Sequence, residues 1–104
     1  MKLTQEQFDA TFAAPMRRLP QDAEPPFNFW PYFDAIPQDD FSGHQFPGEV
    51  TYVYEHPSGK FLHVLVNSED PNVFLAIVLD MANRCVLGHR LLEFSSEYGL
   101  NKAD

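Results

Sequence analysis

At 104 residues, with 15 acidic side chains against 7 lysines and arginines and a formal net charge of −8, the chain has the size of one domain with one modest core. Its charge repels phosphate backbones and anionic lipid headgroups. Nucleic-acid and membrane-surface roles are therefore disfavoured, and a basic protein partner is favoured.

The first expected element is a helix over residues 4–14. Thr4 is a good N-cap, Gln7 stands three residues on to complete a capping box, and Leu3 is spaced to staple onto Phe8. Phe8 and Phe12, four apart, share a face that must be buried, and Pro15 disfavours helical geometry at the residue before it. Arg17 and Arg18 follow, and the sequence reads them as a solvated helix end.

From residue 20 to 47 the composition shifts to six prolines and five carboxylates with no lysine or arginine. That mix suits a disordered linker, but Phe27, Phe29, Trp30, Tyr32, Phe33, Phe41 and Phe46 run through it, and disordered chains are poor in aromatics. The expectation is an ordered coil, with a helical turn over residues 31–36, laid across a sheet. A covering of this length is uncommon inside a compact domain and is often where function sits.

Residues 48–94 contain four apolar, β-prone runs divided by turn signals, the pattern of an antiparallel meander. The first run, 49–56, alternates with period two. Pro57, Ser58 and Gly59 then suit a three-residue hairpin loop. That loop would set Tyr54 opposite Leu62, Tyr52 opposite Val64 and Val50 opposite Val66, with Val53 and His63 on the other face. The run 73–79 is apolar at every position, so both of its faces need cover. A second turn, with Asn83 as the left-handed residue, would pair Leu79 with Cys85 and Ala76 with Gly88. The small Ala76/Gly88 pair leaves a dip for a bulky side chain from another layer, or for a bulge. The register between the second and third runs is open. In the tail, residues 95–104, Ser95 is able to cap one helical turn and Gly99 to end it.

The fold class expected is therefore α+β: one domain spanning residues 1–104, in which an N-terminal helix and a proline- and aromatic-rich coil pack on a mostly antiparallel four-stranded β-meander. The single cysteine permits no internal disulfide, the opening residues lack the apolar core of a secretory signal, and no apolar run is long enough to span a bilayer. These features set the expected location as cytoplasmic.

No motif carries recognisable chemistry. The four histidines, His44, His56, His63 and His89, lack the paired spacings of a metal site, so neither metal nor cofactor is implied. Cys85, set among Val86 and Leu87, reads as a buried, inert thiol rather than a nucleophile served by His89. The adjacent carboxylates Asp39/Asp40 and Glu69/Asp70 lie in turn-rich loops where such groups are solvated, and phosphate-binding loops and hydrolase elbows are absent.

The leading expectation is a non-enzymatic protein-binding module, most concretely an acidic cytoplasmic inhibitor or immunity protein for a basic toxin or enzyme. Asp34, Asp39, Asp40, Trp30 and Tyr32 would form its recognition surface. The alternative is a small-ligand or weakly catalytic pocket between sheet and coil, lined by His63 and His89. A third possibility is a homo-oligomeric structural subunit, the simplest form of which is a homodimer.

Overall fold

The structure is a computed structural model that describes residues 4–12, 16–20 and 24–93. It is an α+β fold built on one antiparallel sheet of five strands, not four, in the order β1 (Arg17–Arg18), β2 (Val50–Glu55), β3 (Phe61–Asn67), β4 (Val73–Asp80) and β5 (Cys85–Glu93). The extra strand is the arginine pair. Arg17 and Arg18 pair with Glu55 and Tyr54, Arg17 makes an ion pair with Glu55, and the Arg18 guanidinium lies 5.3 Å from the centre of the Tyr52 ring. A strand of two charged residues has no periodicity to betray it, and its charge blunts the sheet edge.

Helix α1 (Gln5–Thr11) starts at the expected cap. Thr4 accepts from the Gln7 amide, Gln7 reaches back to the Thr4 amide, and the helix closes at Phe12. The proposed staple through Leu3 and the stop before Pro15 lie outside the described residues, as do the expected turns of the tail.

Both hairpins differ from the expected register for one shared reason. Residues 57–60 and 81–84 are four-residue loops, not three. One added residue shifts the pairing by one and exchanges the faces of every side chain beyond it. Tyr54 accordingly pairs with His63 and Val53 with Val64, and a bulge at Thr51 then restores the expected Val50/Val66 pair. Asp80 pairs with Cys85 and Leu79 with Val86. A second irregularity beside Leu87 sets Gly88 opposite Val78 rather than Ala76. The left-handed residue of that turn is Arg84 (φ 53°) and not Asn83, which instead binds the Asp80 carboxylate through its amide and side chain. Between β3 and β4 the pairing runs from Phe61/Asp80 to Asn67/Phe74.

The shifted register makes the sheet apolar on both faces. Val53, Leu62, Val64, Leu75, Ile77 and Leu79 face the coil and pack with Phe29, Ile36 and Phe41. Tyr54, Leu65, Phe74, Ala76, Val78 and Leu92 face α1 and pack with Phe8 and Phe12. Residues 75–79 of β4 are fully buried, as an all-apolar strand between two covering layers must be.

The dip in the sheet is real, although its strand partner differs from the one expected. A Cβ placed on Gly88 would stand 2.9 Å from Cε1 of Phe8, so the phenylalanine ring occupies the space a side chain would need. Gly88→Ala should therefore displace a buried ring and cost about 1–3 kcal/mol. Urea denaturation checks this, and a loss under about 0.5 kcal/mol would show that α1 is free to shift.

Candidate functional site

The coil becomes two short helical pieces because its sequence fixes where each begins. The Trp30 amide donates to Oδ1 of Asn28 at 3.1 Å, and Pro31, with no amide to satisfy, stands in the first turn of α2 (Trp30–Asp34). Pro37 ends that stretch and leads into a 3₁₀ helix, Gln38–Phe41, which Ser42 closes in the left-handed conformation (φ 52°). The rings form one chain: Phe29 to Trp30 at 4.5 Å, Trp30 to Phe33 at 5.3 Å, Phe33 to Phe41 at 5.9 Å and Phe41 to Phe46 at 4.8 Å between centres. Phe29, Ile36 and Phe41 anchor it in the core. Asp34, Asp39 and Asp40 are thereby held exposed on a fixed frame. Among the described residues, neither Asp34 nor Asp39 has a cation within ion-pair distance.

Asp40 is engaged differently. Its Oδ2 lies 2.9 Å from Nε2 of His89 on β5, and Nδ1 of the same ring lies 2.7 Å from the Tyr32 hydroxyl. Asp40, His89 and Tyr32 thus form a continuous hydrogen-bonded chain that ties α2 and the 3₁₀ helix to the edge strand. A carboxylate only accepts, so with the ring neutral Nε2 carries the proton and Nδ1 accepts from Tyr32. Burial, and then the Asp40 charge, raise the Tyr32 pKa. The phenol stays protonated, so the chain is suited to holding and orienting groups rather than to supplying a phenolate nucleophile.

These three residues join two expectations that the sequence had kept apart. Tyr32 and Asp40 belong to the expected protein-binding surface, and His89 to the expected ligand pocket shared with His63. His63 lies elsewhere. It pairs with Val78 while His89 pairs with Ile77, and adjacent residues of β4 point to opposite faces, so the two histidines are on opposite sides of the sheet. His63 is fully buried beneath α1. Its Nε2 is 3.1 Å from Oγ1 of Thr11, which itself donates to the Phe8 carbonyl, and its ring packs on Phe12 at 4.5 Å.

The open cleft at the β5 edge is lined by Thr4, Gln5 and Phe8 of the α1 end, by Leu87, Gly88 and His89 of β5, and by Tyr32; its volume is about 250 Å³. It forms where α1, lying on one face, and α2, lying on the other, reach the same sheet edge. The α1 and Leu87 contributions were invisible to sequence reasoning. The one available signal was the gap left by Gly88.

Glu69, His44 and His56 are engaged locally. Glu69 accepts from the Gln45 amide at 2.6 Å and lies 3.2 Å from His44, and these two bonds, in that order, lower its pKa. His56 bonds Ser58 within its turn. Among the described residues, no three His, Cys, Asp or Glu side chains converge as metal ligands. Cys85 is exposed at the start of β5 rather than buried. Both ring nitrogens of its suggested base, His89, are already engaged by Tyr32 and Asp40. Among the described residues, no helix is long and apolar enough to cross a membrane. No protein-family model, curated protein or solved structure matches the chain.

Proposed function

We propose that this chain is a non-enzymatic protein-binding module that takes a basic protein through the acidic, ring-anchored segment from Trp30 to Phe41. Its most concrete form is a cytoplasmic inhibitor or immunity protein that neutralises a basic toxin or enzyme. The observation that carries this reading is the exposure of Asp34 and Asp39, without cationic neighbours among the described residues, on a segment whose rings are fixed in the core. Charges held in place before binding lose little freedom on association, and an uncompensated acidic surface steers a basic partner toward itself.

The test is the double substitution Asp34→Lys/Asp39→Lys, which leaves the Asp40–His89 bond intact. Folding should stay within about 1 kcal/mol, as for other exposed charges. Association with a basic protein captured by the wild-type chain should slow by about tenfold or more at low ionic strength, and by much less at high salt. Stopped-flow rates at two salt concentrations measure both. Equal rates for wild type and variant at both concentrations would remove this surface from recognition.

A second reading, a small-ligand or weakly catalytic site, draws support from the Asp40–His89–Tyr32 chain on the cleft wall. Its signature would be a thermal shift with a small molecule and no protein partner.

A further inference from the structure

We propose that the cleft at the β5 edge is a receptor for a single cationic side chain, best matched by an arginine of the basic partner, with Tyr32 Oη as hydrogen-bond acceptor and Phe8 and Leu87 as the apolar floor beneath its stem. The identity of the cation's source rests on the basic-partner reading above; the cleft's preference for a cation does not.

The polarity of the cleft follows from the hydrogen-bond chain behind it. With the imidazole neutral, Nε2 donates to Asp40 and Nδ1 takes the one proton Tyr32 has to give. Any group that reaches Tyr32 Oη from the cleft must therefore donate. A carboxylate or a carbonyl finds no proton there, whereas a guanidinium or ammonium finds an acceptor. The charge balance selects in the same direction. Among the described residues, no lysine or arginine lines the cleft, and the Asp40 carboxylate stands directly behind His89. Arg90, next along β5, is turned toward α1, where it lies 3.8 Å from Asp9 and 4.8 Å from the centre of the Phe12 ring.

Size narrows the occupant further. A volume of about 250 Å³ falls below the roughly 300–1,000 Å³ of sites that enclose a drug-sized molecule, but is enough for one long side chain. Arginine fits better than lysine, because its planar, weakly hydrated head donates in a fixed fork beside an aromatic wall while its methylene stem covers Phe8 and Leu87. Such an anchor, seated next to a charged rim, is the form that concentrated binding energy takes at protein interfaces.

The experiment uses the whole chain and methylguanidinium chloride as probe, at about pH 8, above the ordinary imidazole range. ¹⁵N-resolved NMR follows the amides of Gln5, Leu87, Gly88 and His89, with sodium butyrate and isobutanol at matched ionic strength as anionic and neutral comparisons. The expected result is a saturable shift of these amides by methylguanidinium with one shared Kd on the order of 10 mM, as suits so small a fragment. Butyrate and isobutanol should give only unsaturated drift. Tyr32→Phe, which keeps the ring and removes the acceptor, should weaken the probe by about fivefold or more, with the amide spectrum confirming the fold.

Absence of a saturable shift in the wild type, or equal binding of butyrate or isobutanol, would overturn the proposal, and that result does not depend on any Tyr32 variant folding. An unchanged Kd in folded Tyr32→Phe would overturn the role of the hydroxyl. Because the free probe needs no partner, a negative result here leaves the acidic surface standing, whereas failure of the Asp34→Lys/Asp39→Lys test leaves the cleft standing.

Discussion

Lowering the pH from about 7 to 5 should cost the fold about 2 kcal/mol, and continuing to pH 3 about 4 kcal/mol in total, through one residue on the face of the sheet away from the coil. His63 is fully buried, and burial, followed by repulsion from His56, lowers its pKa from 6.5 to about 3. The folded state therefore binds fewer protons than the unfolded one between those values. Stability from this group is fully present above pH 6.5 and is lost as the pH falls toward 3. The lowered carboxylates Glu69 and Asp80 act in the same direction, but only in the carboxylate range, so the interval from pH 7 to 5 lies above their contribution. His63→Leu should flatten it. The variant keeps apolar volume against Phe12, and Thr11 retains its bond to the Phe8 carbonyl. Denaturation midpoints of the two proteins across this interval provide the check. A slope that survives in His63→Leu would assign the acid sensitivity to another group.

Ile77→Ala is expected to cost about 2–5 kcal/mol at neutral pH. Ile77 is fully buried on the coil face of β4, paired with Val64 on one side and His89 on the other. Its neighbours belong to two other strands and to the anchored rings, so none is free to collapse into the space left behind. The fall in denaturant midpoint gives the magnitude, and a loss below about 1 kcal/mol would mean that the coil is loosely seated. Because His89 shares that pairing, the variant also asks how far the Asp40–His89–Tyr32 chain depends on the strand beneath it. A coupled shift of the His89 imidazole resonances would show that dependence.

What was legible in the sequence was whatever depends on near neighbours. Thr4 and Gln7 mark the helix start within four residues, the spacing of Phe8 and Phe12 marks its buried face, and the uninterrupted apolar run of β4 requires two covering layers. Quantities that turn on a single residue were not legible. The sequences of both loops suit three residues as well as four, yet that choice decides whether Tyr54 or Val53 shares a face with Leu62. The arginine pair of β1 is too short to carry a period, and its place is set by Glu55 and Tyr52 from a distant part of the chain. The candidate site shows the same division. Tyr32, Asp40 and His89 were each singled out from composition, but their junction is a product of register, and the same register separates His89 from His63.

The order of the elements along the chain bears on how the protein is made. Both covering layers, α1 and the coil, precede the sheet they cover. On a ribosome adding about 5–20 residues per second, the rings from Phe27 to Phe46 emerge several seconds before β4 exists to receive them. An apolar segment left waiting for that long invites wrong pairing with other nascent chains. Here the waiting segment is interrupted by proline and carries like charges throughout, two properties that oppose strand-to-strand association. The composition that resembles a linker thus also disfavours pairing of the covering with neighbouring chains before its own sheet is made.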